Sequence, residues 1–256
     1  PLLKILSDSF NDVTTYGLSL VPEKFTFGAY RKIFTSKELI TPLKISFYTT
    51  VLGTLLGLYL TTTGAYVLLQ QKMPGRKLMT WMIFFTMIFS GGMIPTYLLI
   101  RDLHMLNTLW AVVVPPSISV YNLILMKSFM EGIPGSLMEA ASIDGCSPMG
   151  IFVKIVLPLS KPALASIGLF LAVAYWNQFF NFVIYITNPN LFNFQCKLRD
   201  LILNSTDLQN ANSGITLSAK TVENACIIVS MIPPLILYPF CQKYFVHGVT
   251  LGAVKE

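Results

Sequence analysis

Apolar residues run along this chain in long stretches, separated by short clusters of charge. Five stretches carry no Asp, Glu, Lys or Arg. They lie between Lys44 and Lys72, Lys77 and Arg101, Asp102 and Lys127, Lys161 and Lys197, and Glu223 and Lys243. A helix needs about 20 mostly apolar residues to cross the hydrocarbon core of a bilayer. Each stretch meets or nearly meets that length, so the pattern predicts five spans, over residues 46–69, 78–100, 108–130, 163–186 and 222–244.

Several spans carry marks of their own. Gly53, Gly57, Thr61 and Gly64 recur at near-helical spacing in the first, and small residues so placed let a neighbouring helix approach closely. The second is interrupted by Gly91, Gly92 and Pro95, the third by Pro115 and Pro116, and the fifth by Pro233 and Pro234. Proline inside a spanning helix frees backbone carbonyls, which a neighbour, water or a transport pathway must satisfy.

Composition sharpens this picture. The chain of 256 residues is 54% hydrophobic and only 12% charged, about half the charge of a soluble domain. Mean hydropathy is +0.63. A disordered chain, a collagen, a disulfide scaffold and an ordinary soluble enzyme are all excluded. The net charge of +6 fits Lys and Arg flanking a membrane. Cys146, Cys196, Cys226 and Cys241 show no metal-ligand spacing, and His104 and His247 make no metal site alone. The sequence has neither a G-x-x-x-x-G-K-[ST] phosphate loop nor an H-E-x-x-H motif. No cofactor or metal is expected on this chain. Charge-free spans argue against a proton-coupled carrier and a membrane-embedded enzyme.

Residues 1–45 are mixed and polar, with no span. They read as the end of a first helix, PLLKIL, followed by an outer segment. A removed signal peptide is the rival account of the chain's start at Pro1. The short loop 70–77 holds Lys72, Arg76 and Lys77, and such loops stay cytoplasmic. That puts the loop 131–162 and the tail 244–256 inside. The loops 101–107 and 187–221 and the N-terminal segment then lie outside.

The loop 131–162, EGIPGSLMEAASIDGCSPMGIFVKIVLPLSKP, is too patterned for a connector. Ser136 and Glu139 match a capping box. Leu137, Ala140, Ala141 and Met138 or Ile143 give one apolar face. Asp144-Gly145 signals a turn with a left-handed glycine, and Ser147-Pro148 opens a second helix. Ile151, Phe152, Ile155 and Val156 repeat at three- and four-residue spacing. Pro158 is expected to stop that helix, and Pro162 to open the next span. Two stiff amphipathic helices make a knob suited to a groove on a soluble partner. On these residues alone, a helix lying on lipid is an equal alternative.

Glu139, Ala140, Ala141, Gly145, Ile155, Leu157 and Pro158, with Asp144 in the common Asp-Gly form, resemble the EAA loop of binding-protein-dependent ABC importer permeases. SGGMIPTYLLI, LNTLWAVVVP, LPLSKPALA, YWNQFFN and YPFCQKYFVHGVTLGAVKE resemble the maltose-type carbohydrate permeases, nearest the branch serving oligosaccharides and uronate-containing fragments. Cys146 stands where the family commonly has alanine. The resemblance implies an all-α polytopic membrane bundle of the type I importer kind, with six helices, the first largely missing from this sequence. It implies a permease domain over residues 46–243 in a bacterial cytoplasmic membrane. It implies a related permease as the other half of the pore, two cytoplasmic ATPases that bind ATP and Mg, and an extracytoplasmic solute-binding protein. The eight loop residues would couple to the ATPases. The outer loop 187–221 would reach the binding protein, and the tail from Gly248 would approach the ATPases. Rings and amides that suit a sugar are Tyr121, Asn122, Tyr175, Trp176, Asn177, Gln178 and Asn181. Asn177 and Asn181 are expected on one helix face, lining a cavity, with a helix–helix hydrogen bond as the alternative role for each.

Overall fold

The computed structural model describes residues 1–11, 20–71, 73–208 and 219–253. Among them every regular element is a helix, apart from one isolated bridge between Asn11 and Phe25. In chain order the helices are α1 (Leu2–Ser9), α2 (Gly28–Thr35), α3 (Lys37–Leu69), α4 (Arg76–Ile88), α5 (Met93–Asp102), α6 (Trp110–Val113), α7 (Val120–Glu131), α8 (Gly135–Ile143), α9 (Pro148–Ile151), α10 (Leu157–Leu159), α11 (Lys161–Trp176), α12 (Phe180–Tyr185), α13 (Phe194–Leu208) and α14 (Ala219–Ala253). Short 3-10 turns occupy Pro115–Ser117 and Pro189–Leu191, and a π-helical turn, Phe152–Val156, joins α9 to α10.

Two of the five expected spans are single continuous helices, α3 and the stretch Lys220–Pro239 of α14. The other three apolar stretches are bent. Helices α4 and α5 turn by 117° at their break, α6 with its 3-10 turn and α7 by 44°, and Pro148–Leu159 and α11 by 77°. The first break lies at residues 89–92, where Phe89 is extended and Gly92 takes φ +87°. The second follows from Pro115 and Pro116, which have no N–H to donate. The chain tightens into a 3-10 turn there, and Ser117 bonds to Val114 instead of Val113. The Val113 carbonyl receives the Tyr175 hydroxyl, at 2.7 Å.

Three expectations change. The stretch 163–186 is not one helix, because α11 ends at Trp176 and α12 begins at Phe180. The outer segment 187–221, read as a loop, holds the helix α13. The last span is not free of ionisable groups. Glu223, just inside it, is buried and ion-paired with Lys220 at 2.7 Å.

The chain forms two compact units. One comprises Pro1–Thr49, Leu106–Leu109 and Trp176–Ile236. Its core packs Ala29 and Ile33 of α2 and Leu39 of α3 with Phe194, Leu198, Val222, Cys226 and Val229. Ser46 accepts the amide of Phe194 (2.9 Å), tying α13 to α3. The other unit comprises Thr50–Met105, Trp110–Tyr175 and Leu237–Glu256. Its core packs Ala65, Met126, Met130, Phe152, Val156, Ile167, Leu171 and Tyr175. The small-residue stripe of α3 works inside this unit. A Cβ on Gly53 would overlap the Tyr175 ring, and one on Gly57 would lie 3.0 Å from Leu171 and from the Ser117 carbonyl.

Candidate functional site

The loop 131–162 folds as two short helical pieces built on the core of the second unit. Helix α8 starts at Gly135, with Pro134 as its N-cap residue. The Pro134 carbonyl accepts from Leu137 at 3.2 Å, so Ser136 lies inside the helix and the capping box does not form. Proline outcompetes the motif because its fixed φ presets the entry two residues earlier. The C-terminal expectation is met. Gly145 takes φ +81°. Its amide donates to the Ser142 carbonyl (3.1 Å), and the Cys146 amide donates to Ala141 (2.9 Å). This paired closure requires a left-handed residue after the helix, which glycine supplies without a Cβ clash.

Helix α9 opens as its sequence predicts. The Ser147 hydroxyl accepts from the Gly150 amide at 3.2 Å, with Pro148 in the first turn. Pro158 does not stop the helix. The chain passes through the π-helical turn Phe152–Val156 and one further turn before it bends at Ser160. Pro158 cannot donate to the Lys154 carbonyl and its ring crowds that carbonyl. The wide turn absorbs this, so the helix carries the proline in its last turn. Ile151, Phe152 and Val156 are buried in the core, while Ile155 and Leu157 are half-buried and Pro158 is exposed.

The apolar residues of α8 divide between two sides. Met138 and Ala141, with Cys146 after the helix, pack against the core. Leu137 and Ala140 are exposed, and Ile143 is 87% exposed. Met149 and Val153 are also exposed. A cleft of about 790 Å³ runs beneath the knob, lined by Gln70, Arg76, Glu131, Glu139 and Ser142 among others. Glu139 is exposed and, among the described residues, makes no hydrogen bond or ion pair. The loop therefore presents apolar side chains and two exposed carboxylates, Glu139 and Asp144, neither of them paired among the described residues.

Of the residues read as sugar-facing, Tyr121, Asn122 and Tyr175 belong to one compact unit and Trp176, Asn177, Gln178 and Asn181 to the other. Tyr175 is buried, with its hydroxyl on Val113. Trp176 is buried too, and its indole N–H donates to the Ser230 carbonyl at 2.8 Å. Both rings serve packing, the alternative role foreseen for them. The shared face of Asn177 and Asn181 is also lost, because the helix is interrupted at 177–179. Asn177 is exposed and Asn181 half-buried. Tyr121 is exposed, whereas Asn122 is buried and its amide donates to Ser119 at the start of α7. Gln178 lends its carbonyl to the side-chain amide of Asn193. The tail from Gly248 and residues 209–218 of the outer loop fall on positions whose side chains lie outside those described.

Three supporting residues escaped the sequence pattern. The Tyr66 hydroxyl donates to the Pro148 carbonyl (2.8 Å), and its ring packs tilted against Phe152, with centroids 4.7 Å apart. Tyr66 thus pins the second piece of the loop to α3. Arg76 and Glu131 border the cleft at the ends of α4 and α7. A hydroxyl-bearing ring near the end of an apolar run was the available signal for Tyr66. For the charged pair, only position at helix ends marked them.

Residues 53–250 match the family described as "Binding-protein-dependent transport system inner membrane component". Among relatives, the polygalacturonan/rhamnogalacturonan transport system permease protein YtcP of Bacillus subtilis (strain 168) is 40% identical over the whole of this chain and 92% of its own length. Protein LplC of the same organism is 38% identical over the whole chain and 88% of its own length. A chain of a bacterial ABC transporter involved in the import of the acidic polysaccharide alginate superposes with a TM-score of 0.86. It is 32% identical and covers 96% of this chain and 90% of that one. The bent apolar helices, the rigid loop and a full-length match to transport permeases converge: this chain is a membrane-spanning member of the binding-protein-dependent transport system inner membrane component family.

Proposed function

We propose that this chain is one half of the translocation pore of an ATP-driven importer for an oligosaccharide derived from a uronate-containing polysaccharide. The observation that carries the substrate class is that two full-length relatives are named for acidic polymers, polygalacturonan/rhamnogalacturonan in one and alginate in the other. The other half of the pore is a related permease. Helix α4 supports this, for it is apolar and, among the described residues, none of its side chains is buried. Two ATPase subunits, which bind ATP and Mg, grip the knobs of the two permeases from the cytoplasm. A binding protein delivers the sugar from outside. The membrane is the bacterial cytoplasmic membrane.

Closure of the ATPases moves each knob, and the knob moves the spans. That requires a loop that transmits force without bending. The glycine closure of α8, the Ser147 cap and the Tyr66 anchor supply it. Glu139, Ala140, Ala141, Asp144 and Gly145 form the contact piece, and Ile155, Leu157 and Pro158 form the joint to α11. An anionic sugar needs neutralisation along its path, and the partner permease or exposed helix N-termini provide it.

The test is purification of the tagged chain with its native membrane neighbours. An ATPase and a second permease are expected to copurify. Hydrolysis is expected to rise when the binding protein is loaded with a short oligogalacturonide. Arabino-oligosaccharide and sn-glycerol-3-phosphate are the comparators, because permeases named for those solutes are 29% identical over the whole of this chain and 31% identical over 73% of it. Stimulation by a comparator alone overturns the substrate class, and a chain that purifies without an ATPase overturns the importer.

A further inference from the structure

Two charges near the cleft stand at the wrong ends of their own helices. Arg76 is the first residue of α4, where the positive end of the helix dipole disfavours a cation. Glu131 is the last residue of α7, where the negative end disfavours a carboxylate. Each is instead placed well for something else. The Arg76 Nε–H donates to the Leu68 carbonyl at 2.7 Å, at the carbonyl-rich end of α3. Its Nη2 faces the Glu131 carboxylate at 4.0 Å. Lys127, one turn back on α7, contacts the same carboxylate oxygen at 2.5 Å. Both side chains of the Arg76–Glu131 pair are partly shielded, at 29% and 44% exposure.

We propose that Arg76 and Glu131 are positioning residues for energy coupling, forming a strut that fixes the entry of the knob to the end of α3. This rests on the importer reading above. Glu131 stands immediately before Gly132-Ile133-Pro134, the lead into α8. That lead is otherwise held by Ile133, which is buried in the core, and by the Gly132 and Ile133 amides, which donate to Phe129 and Met130 on α7 itself. Force from an ATPase would then be lost in relative sliding of the α3, α4 and α7 ends. Arg76 holds two of those ends and reaches the third. A lysine has one charged nitrogen and cannot serve the Leu68 carbonyl and Glu131 in the same forked geometry.

The test is a double-mutant cycle on the complete purified complex in proteoliposomes. ATP hydrolysis is measured with and without binding protein loaded with a short oligogalacturonide, for wild type, R76Q, E131Q and R76Q/E131Q. R76K is the conservative variant. The strut predicts that each single change lowers the stimulated-to-basal ratio by about two- to fivefold, the effect of a partly exposed ion pair. The double variant should show the same loss as the singles, because the two residues act as one device. R76K should fall between R76Q and wild type. Copurification of the ATPase should be unchanged throughout. If R76Q does not assemble, R76K and E131Q carry the same comparison. Unchanged ratios, or losses that multiply in the double variant, overturn the strut and leave the importer standing. A wild-type complex without stimulation overturns both.

Discussion

Gly145 has φ +81°, and a side chain there costs about 1–2 kcal/mol of backbone strain. G145A is therefore expected to lower the thermal stability of the purified complex slightly and to keep transport. G145P removes the amide that bonds to Ser142 and demands φ near −65°. It should open the end of α8 and separate ATP hydrolysis from uptake in vesicles. Uptake at the wild-type ratio to hydrolysis in G145P would show that the closure is not needed for coupling. Tyr175 is bound differently, through its polar tip. Y175F leaves a buried Val113 carbonyl without its donor, at about 1–3 kcal/mol. The complex should melt earlier in a detergent thermal scan, while the solute preference stays the same. Cys196 gives a chemical check. Burial, and after it the Asp200 charge, pushes its thiol from near 9 up to about 11. A raised thiol pKa means that the reactive thiolate is scarce at neutral pH and grows only as pH approaches that value. Peptide-resolved maleimide labelling at neutral pH should mark Cys146, which is half-buried, before Cys196. Faster labelling of Cys196 would contradict its burial.

At the scale of elements, the joint between the knob and α11 concentrates the fold's irregularity. The π-helical turn at Phe152–Val156 lies directly before Pro158. P158A restores an amide that can donate to Lys154, so the turn can tighten to ordinary α-helix. That rotates Ile151 and Phe152 against Met126 and Met130 in the shared core. Couplings carried by such packed elements are worth about 0.5–2 kcal/mol. Solute transported per ATP should fall roughly two- to tenfold in P158A while the complex still assembles; an unchanged ratio would make the turn incidental. The same element shows what the sequence displayed and what it concealed. Hydropathy located all five apolar stretches, since burial in lipid demands it at every position. Glycine and proline marked the bends, at Gly91-Gly92, at Pro115-Pro116 and between Pro158 and Pro162. The interruption at 177–179 was concealed, because Asn177 stands in a charge-free run with no glycine or proline beside it. The knob was legible at Gly145 and Ser147, where one residue type answers one backbone need. It misled at Ser136, where two legitimate helix starts compete two residues apart and proline wins. Tyr175 and Trp176 misled because a ring with a polar tip serves a sugar or a freed carbonyl equally well, and sequence does not say which is near.

For the whole molecule, the question is which residues serve this chain's fold and which serve assembly with others. Glu139 separates the two. Because Pro134 starts α8, Glu139 has no capping role. It makes no bond within the described residues and lies exposed at the cleft. An exposed side chain without partners contributes within about 0.5 kcal/mol to stability. E139Q should therefore leave the melting of the purified chain unchanged. If the carboxylate meets a cation on an ATPase, its loss at the edge of an interface costs a charge-assisted hydrogen bond, about 1.5–3 kcal/mol. ATPase copurification should then drop by an order of magnitude or more, and by less at high salt, because screening has already weakened the wild-type contact. R76Q, by contrast, is expected to keep the ATPase and lose stimulation. The two variants thus fail in opposite ways: one knob that no longer binds, and one that binds but no longer pulls. Equal copurification of E139Q and wild type at low salt would remove Glu139 from the interface. The exposed apolar side chains, Ile143, Met149 and Leu137, would then be the surface that the ATPase holds.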